Sequence, residues 1–325
     1  MIQLKFIKNS RFLNELKRKR NIRKLIQAGI LTPVQSFEEY AALVKEAKSG
    51  CTHRLFTNCY MMPDEIKRLI SIKSFYRVKA DSVLAFVADE VGYYYMFLYV
   101  DEEKELHLPQ LDRQTLVENV YYEGRRTAAQ ERFEDAVKGA GFAFLNTYQA
   151  VVDRPQIKPE KYWKSFRALE KSLAAEEKKI AVPSYKQLKA FEKIYRQEID
   201  RFVQKRYTKR ERKRQADQKL LHCITDKKGE IYAIQISGIL HGGAIASRSD
   251  CHNNIYSIAL MFYLQQYFYS NMPEDPEGQK EYMRPKGVGG WIAVDNTPSW
   301  RIHKQLGFVA NGKAMNQFVL PGFAE

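Results

Sequence analysis

Apolar and polar positions near the end of the chain predict a strand followed by a short helix. Residues 291–294 form an apolar run between glycines and an Asp-Asn pair, which is typical of a buried strand. Asn296 or Thr297 is a suitable helix cap, and Pro298 fits the first helical turn. Gly307 is a typical helix terminator. We therefore expect a strand, a cap and a short helix before the last strand of the chain.

One face of this predicted helix carries candidate chemistry. Ser299, Ile302, His303 and Leu306 share that face, because residues three and four apart on a helix are neighbours. The ordinary pKa of histidine is about 6.5, so His303 can act as a general acid or a general base near neutral pH. Ser299 lies one turn before it and is the second candidate catalytic residue. A packed or surface histidine is the structural alternative.

The region before this motif predicts an antiparallel meander and a buried helix. The three predicted strands cover residues 220–225, 231–237 and 240–247. Turn signals at 226–229 and at Gly238 separate them, and the short spacing favours antiparallel pairing. Residues 248–254 then lead into a predicted helix over 255–270. That helix is apolar on nearly all sides, so it is expected to be deeply packed.

The first half of the chain ends in a similar way to the second. Helices are predicted over 10–30, 36–47, 63–73 and 127–138. Two strands joined by a hairpin turn at 89–92 are predicted within 82–100, and further strands over 115–122 and 142–152. The sequence helix, Ala-Gly-Phe, strand in the first half echoes helix, Leu-Gly-Phe, strand in the second. Aligning Gly141 with Gly307 places Val137 opposite His303. We therefore expect two tandem halves, with chemistry confined to the second.

Residues 158–218 are mostly helical in pattern and strongly basic. A joining segment begins at residues 153–155 and includes Pro159, and we expect two domains, 1–155 and 156–325. The densest charge falls at 205–219, which fits either a nucleic-acid contact or a solvated helix. The basic residues near the N-terminus leave similar alternatives open: a nucleic-acid or membrane contact, or a solvated helix face.

Composition narrows the class of partner. The chain has 325 residues and a formal net charge of +15, so two domains fit and anionic partners are favoured. Those partners include a nucleic acid, a membrane surface or a polyphosphate such as coenzyme A. No apolar run reaches the roughly eighteen residues of a membrane span. The N-terminus has no apolar core or cleavage site typical of a secretory signal, so a cytoplasmic location is expected.

The cysteines do not predict a metal site. Cys51, Cys59, Cys223 and Cys251 lack the paired spacing of a zinc site, and the nearby histidines do not complete one. We expect ordinary reduced thiols and no metal. A nucleophilic Cys251 beside His252 is a weaker alternative.

The pattern Asn-x-x-Ser-x-x-Ile-His-Lys-x-Leu-Gly-Phe, from Asn296 to Phe308, resembles the last conserved motif of the GNAT superfamily of acyl-CoA-dependent N-acyltransferases. The resemblance implies an α+β fold, with a mixed and mostly antiparallel sheet flanked by helices, in two tandem copies. It places Asn296 and Ser299 near the pantetheine arm of the acyl donor. It places His303 where the family usually keeps the tyrosine that protonates the leaving thiolate.

The same resemblance implies where acetyl-CoA, or another acyl-CoA, would bind. Its carbonyl would meet the backbone of a splayed strand over Ile245, Ala246 and Ser247, opposite the strand before Asn296. Its pyrophosphate would lie at the helix start formed by Arg248, Asn253 and Asn254, where free amides and the helix dipole favour anions. The family's usual loop contains glycines, and this loop contains none.

The function expected from the motif is direct transfer of an acyl group from CoA to an amine of a small molecule or amino-acid-like acceptor. Two other functions remain open. The missing glycines and the basic helices resemble the Fem-type aminoacyl-tRNA-dependent transferases, which predicts tRNA as a partner. A tandem fold used only for binding is the third hypothesis. The acceptor, the acyl group, the general base and the oligomeric state are left open.

Overall fold

The computed structural model describes residues 16–51, 53, 55–81, 83–90, 92–101, 105–153, 159–199, 207, 209–236, 244–251, 255–270, 274–275, 277–278, 289–305 and 307–323. The chain divides into two compact units. Unit 1 comprises Met1–Thr147 and Ala314–Glu325, and unit 2 comprises Tyr148–Lys313. The C-terminal segment therefore groups with the first unit, which a single boundary at residue 155 does not anticipate. The assignment of 1–155 and 156–325 as tandem domains stays a prediction.

Unit 1 is built on a mostly antiparallel sheet. Its strands are β1 (Leu31–Pro33), β2 (Leu55–Thr57), β3 (Phe75–Val78), β4 (Leu84–Asp89), β5 (Tyr94–Asp101), β6 (Thr115–Tyr122) and parts of β7 (Ala143–Asp153) and β13 (Phe308–Leu320). The order is β1-β3-β4-β5-β6-β13-β7, and β2 pairs with the end of β5. The neighbours β5 and β6 run parallel, whereas the pairs that involve β1 to β4 are antiparallel.

The helices of unit 1 cover both faces of this sheet. They are α1 (16–27), α2 (Phe37–Ser49), α3 (Pro63–Ser71) and α4 (Ala128–Gly139). Side chains alternate along β5: Met96 and Leu98 pack in one core with α1 and α4, and Phe97 and Tyr99 pack in the other with α2 and α3. Because both faces are covered, β5 reads as an almost continuous apolar run.

Local sequence signals set the helix ends in unit 1. Ser36 caps α2 by accepting a hydrogen bond from the Glu39 N–H at 3.1 Å. Thr127 and Gln130 form a reciprocal capping box at the start of α4. Gly141 follows α4 with a φ of +90°, a conformation that favours glycine. The predicted start of α2 and both predicted ends of α4 are confirmed.

Unit 2 contains a second antiparallel sheet. Its elements are α5 (Pro159–Ala175), β8 (Lys178–Ala181), α6 (Leu188–Glu198), α7 (Lys209–Asp217), β9 (Leu221–Asp226), β10 (Ile231–Ile236), β11 (Ile245–Ser247), α8 (Ile255–Ser270), β12 (Gly289–Ala293) and α9 (Thr297–Gln305). The four-stranded order is β11-β10-β9-β8. Separately, β12 pairs antiparallel with the part of β7 over residues 148–152.

Each face of the four-stranded sheet buries its own core. Ile234 of β10 packs with Phe191 of α6 and Ala216 of α7 on one face. Ala233, the neighbouring residue, packs with Leu260 of α8 on the other, and α5 contributes to that same core. The predicted deep packing of α8 holds for Tyr256, Ala259, Leu260 and Met261, which are buried, whereas its other described side chains are half-buried.

One helical prediction is wrong. The sequence lacks helix breakers between 162 and 179, yet α5 ends at Ala175 and Lys178–Ala181 form the strand β8. Glu177 adopts a φ of +58°, which ends the helical path. Ile180 and Ala181 then pair antiparallel with β9, more than forty residues further along the chain. A long-range pairing therefore overrides the local helical preference.

The predicted fold class is confirmed: the chain is α+β, with mixed and mostly antiparallel sheets flanked by helices. The predicted meander is confirmed over β9, β10 and β11, although residues 240–243 of the third predicted strand lie outside the described residues. Within the described part of the chain, no helix combines the length and the apolar character needed to cross a membrane.

Candidate active site

Two edge strands of unit 2, β11 and β12, pack against one apolar cluster without pairing to each other. In the described residues β11 ends one sheet and β12 ends the other, and no backbone ladder joins them. Nevertheless Ile245 of β11 and Ile292 of β12 belong to one apolar cluster, together with Met261 and Phe262 of α8. The two strands therefore flank a gap whose wall includes the side chains of α8.

The backbone of β11 has donors directed away from its own sheet. Ala244 O and Arg248 N both bond to β10, at 2.8 and 2.9 Å. In an antiparallel pair, alternate residues bond to the partner strand, so Ala246 also faces β10. The backbone amides of Ile245 and Ser247 consequently point to the open edge. Of the three predicted carbonyl-binding residues, these two direct their backbone amides away from β10.

The helix α9 is fixed to the end of β12 by its first turn. The Ser299 N–H donates to Asn296 Oδ1 at 3.2 Å, so Asn296 is the cap and the predicted helix start is confirmed. The indole N–H of Trp300 donates to Ala293 O at 3.0 Å. Gly307, with a φ of +84°, follows the helix as predicted. The side-chain oxygen of Asn296 is thus engaged in capping.

His303 lies on α9 with one ring nitrogen already occupied. Its Nδ1 is 2.7 Å from the carbonyl oxygen of Ser299 and 3.4 Å from the Ser299 hydroxyl. A carbonyl oxygen only accepts, so Nδ1 carries a proton and Nε2 of the neutral ring carries the lone pair. The ring also meets Phe308 edge-on, with 5.1 Å between centroids. Burial lowers the pKa of His303, and its bond to the Ser299 carbonyl partly opposes that shift. The neutral ring can accept a proton at Nε2.

Arg248, the predicted phosphate-binding cation, is already paired with carboxylates of this chain. Its guanidinium bonds to both oxygens of Asp250, at 2.8 and 2.5 Å, and also to Glu230. These pairs raise the pKa of Arg248 and lower the pKa of Asp250 to about 2. Its charge is therefore neutralised before any ligand arrives.

Ser249, the next residue of the same loop, also has a carboxylate partner. The backbone N–H and the hydroxyl of Ser249 both donate to one carboxylate oxygen of Glu198, each at 3.0 Å. The residue before Arg248, Ser247, exchanges a 2.7 Å hydrogen bond with Ser257 of α8. Three carboxylates thus surround the loop over residues 248–250, and a pyrophosphate would meet like charge there. The described part of this loop does not fit a pyrophosphate in its present pairing.

In unit 1 two neighbouring strands, β5 and β6, also diverge, but other residues of unit 1 bond to the edge of β5 that is left exposed. The parallel strands β5 and β6 pair only at Tyr94 with Thr115 and Tyr95 with Leu116. Beyond that point the side chain of Asn58 bonds to the β5 backbone, and β2 then pairs with residues 99–101. The edge of β5 is therefore covered along its length, whereas the described residues place no strand on the free edge of β11.

The described residues show no second candidate active site. A cleft of about 1050 Å³ in unit 1 includes His107, Lys79 and Gly141 in its lining, none of which is a predicted site residue. The four cysteines are free thiols, and the described residues contain no group of three side chains able to hold a metal.

The predicted residues fall into two groups within unit 2. Asn296, Ser299 and His303 lie along α9 and its cap, and Ile245, Ala246, Ser247 and Arg248 follow one another along β11 and its loop. Asn253 and Asn254 lie outside the described residues. Sequence reasoning missed Glu198 and Glu230, which reach the loop from α6 and from the turn before β10. No local signal identifies them, because their partners lie 51 and 18 residues away.

Comparison with solved structures identifies the fold. The chain is similar to the GCN5-related glucosamine N-acetyltransferase region of a fungal multi-domain β-N-acetylglucosaminidase, with a TM-score of 0.52 and 8% identity over 89% of this chain and 38% of that one. Weaker likeness links it to a tandem GNAT protein of the clavulanic acid pathway, with a TM-score of 0.46 and 9% identity over 90% and 98% of the two chains. A GCN5-related N-acetyltransferase from Sphaerobacter thermophilus has a TM-score of 0.46 and 11% identity, over 82% of this chain and 88% of that one. No family model and no curated protein matches the chain. The first likeness shows the fold of the GCN5-related N-acetyltransferases.

Proposed function

We propose that unit 2 is an N-acyltransferase, which moves an acyl group from an acyl-CoA to an amine of a small molecule or amino-acid-like acceptor. The observation that carries this proposal is the gap between β11 and β12, where the Ile245 and Ser247 amides point to an open edge. Such a strand edge can hold an extended thioester arm by backbone hydrogen bonds. The fold of the GCN5-related N-acetyltransferases is consistent with that use.

The chemistry assigned to these groups is direct transfer. The amine nitrogen attacks the thioester carbonyl, whose oxygen gains negative charge that the two backbone amides stabilise. The amine proton passes to Nε2 of His303, directly or through one water. The C–S bond then breaks, and the protonated histidine returns the proton to the thiolate. One histidine thus serves as base and then as acid, which its neutral starting state permits.

Thiol release from acetyl-CoA in the presence of a panel of amines tests the proposal. We expect His303→Ala to lower kcat by about 10²–10⁴, the usual contribution of a positioned general base. Lys304→Ala, at the exposed neighbouring position of α9, is the matched control and is expected to retain activity. If millimolar acetyl-CoA shows no binding by calorimetry and no amine-dependent thiol release, the acyl-CoA proposal is wrong.

A second donor is favoured by one specific observation, the three carboxylates around Arg248 and Ser249. A loop in this state suits a donor without a pyrophosphate, such as an aminoacyl-tRNA. Offering the protein acetyl-CoA or aminoacyl-tRNA in parallel, with the same amine panel, separates the two donors. If neither donor loses its acyl group, the hypothesis that remains is a fold used only for binding.

A further inference from the structure

The helices α6 and α7 present a basic surface in unit 2. We use the name α6–α7 surface for seven exposed cations: Lys186, Lys189, Lys193, Lys209, Arg210, Lys213 and Arg214. In the described part of the chain, no carboxylate forms an ion pair with any of the seven. A solvated helix usually intersperses charges of both signs, whereas here one sign dominates two adjacent helices.

A buried arginine holds these two helices together. Arg212 of α7 is only 4% exposed, and its Nε donates to Glu192 of α6 at 2.8 Å. Its guanidinium also lies over the rings of Tyr195 and Tyr207, at 4.6 and 4.3 Å. The exposed cations of α6 and α7 are therefore carried on faces that are fixed relative to each other.

The carboxylates on these helices already have partners within the chain. Glu192 pairs with Arg196 and Arg212, and Glu198 accepts from Ser249. Asp217 accepts a hydrogen bond from the Tyr185 hydroxyl at 2.5 Å. Glu211 is half-buried on α7. The outward face is consequently positive, and the seven cations repel one another unless an anionic partner lies across them.

From this placement we propose that the α6–α7 surface binds the backbone of single-stranded RNA. Phosphate oxygens are contacted chiefly by lysine and arginine, whereas lysine is depleted at protein–protein interfaces. Five of the seven cations are lysines. A membrane surface requires several apolar side chains on the same face. On α6 and α7 themselves the described residues expose no large apolar side chain, and the ring of Tyr185, which is exposed beside these cations, carries a polar hydroxyl.

Side chains beside the cations suit unpaired bases and ribose. Tyr185 is 56% exposed, and the Lys213 ammonium lies 4.7 Å from its ring centroid. An exposed aromatic ring among cations is the usual stacking platform for an unpaired base. Gln197 of α6 and Gln218 after α7 are exposed amides that can bond to a ribose 2′-hydroxyl.

Fluorescence anisotropy of the full chain with a labelled single-stranded RNA tests this proposal. A probe of about 20 nucleotides exceeds the ~4–16 nucleotides that single-strand sites occupy. If four cations contact phosphates, raising salt from about 50 to 200 mM is expected to weaken binding about 50-fold, because each contact adds ~0.7 to the salt slope. The measurement needs no acyl donor, so it stands or fails independently of acyl transfer.

Matched charge reversals separate this surface from the net charge. The test variant carries Lys189→Glu, Lys193→Glu, Arg210→Glu and Arg214→Glu. The control carries Lys45→Glu, Lys48→Glu, Arg77→Glu and Arg125→Glu, which are exposed positions of unit 1 with the same change in charge. We expect a loss of at least about 50-fold in the test variant and under about threefold in the control, with both folded by circular dichroism.

Four results would overturn the assignment. They are absence of RNA binding by the unmodified chain at micromolar protein and low salt, an equal loss in both variants, equal or tighter binding of single-stranded DNA of the same sequence, and equal binding of a poly-glutamate peptide of the same charge. The last would mark an acidic protein as the partner.

Discussion

Asn58 offers a direct test of how unit 1 closes its own strand edge. Its side chain is fully buried, and its Nδ2 donates to Met96 O at 3.1 Å. Its Oδ1 accepts from the Leu98 N–H at 2.7 Å. Both partners are backbone groups of β5, beyond the point where β6 diverges. The substitution Asn58→Ala removes both bonds and supplies no replacement.

The magnitude follows from the two backbone groups left without a partner. A buried donor or acceptor that loses its only hydrogen bond costs about 1–3 kcal/mol, so two of them cost about 2–6 kcal/mol. A loss of about 3 kcal/mol corresponds to a fall of about 6–12 °C in Tm for a unit of this size. Asn58→Asp keeps the acceptor but not the donor, so it is expected to destabilise unit 1 as well.

Hydrogen exchange at the Leu98 amide reports on unit 1 specifically, and urea unfolding gives the overall loss. Asn311→Ala is the control, because its exposed side chain accepts one bond from Lys313 N at 2.9 Å. We expect less than about 0.5 kcal/mol from that change, as for most surface substitutions. If Asn58→Ala behaves like Asn311→Ala, or leaves the Leu98 amide equally protected, our account of the β5 edge is incorrect.

Three further predictions concern unit 2. Burial lowers the pKa of His303, so a kcat/KM that depends on this base is expected to rise with pH at values below 6.5 and to stay flat at neutral pH. A kcat/KM that still rises above pH 7 would contradict this. Replacing Asp250 by Asn and Glu198 by Gln removes two of the three negative charges around Arg248 and Ser249. Calorimetry is therefore expected to give tighter acetyl-CoA binding than in the unmodified chain, and weaker binding would show that these carboxylates do not obstruct the loop. Arg212→Ala leaves Glu192 without its buried partner and is expected to destabilise unit 2 by about 3–5 kcal/mol in urea unfolding. Lys213 is exposed, so Lys213→Ala is expected to change the free energy of unfolding by under about 0.5 kcal/mol.

The parts of the fold that the sequence predicts well depend on neighbouring residues. The cap at Asn296 and the stop at Gly307 each act within four residues and have the predicted positions, and the helix predicted from about Thr127 begins at a capping box there. Such signals are local, so a single sequence carries them.

The parts that the sequence does not predict depend on pairs far apart in the chain. β8 forms because residues 178–181 meet β9, although their local sequence continues a helix. The closure of the β5 edge joins Asn58 to residues about forty positions later. Glu198 reaches Ser249 across 51 residues. Each is a tertiary contact with no periodic or motif signal, so the occupied state of the Arg248 loop emerges only in three dimensions.

The grouping of Ala314–Glu325 with unit 1 has the same origin. A single long strand, β13, passes from one unit to the other, and the amide of Asn316 bonds to Glu134 of α4 at 2.9 Å. Gln317 in turn donates to Glu118 of β6 at 2.7 Å. From the sequence alone, such a strand is assigned to the domain that precedes it, because its composition does not show that its second half packs with unit 1.

Amide hydrogen exchange with and without saturating acetyl-CoA tests the central claim most directly, that the β11–β12 gap of unit 2 binds the acyl donor. We predict slower exchange at Ile245 and Ser247 of β11, with any further protection confined to unit 2. The amides of β5 over residues 96–101 are predicted to be unaffected, because Asn58 and β2 already cover that edge. Unchanged exchange at β11, or protection of β5 instead, would contradict the account.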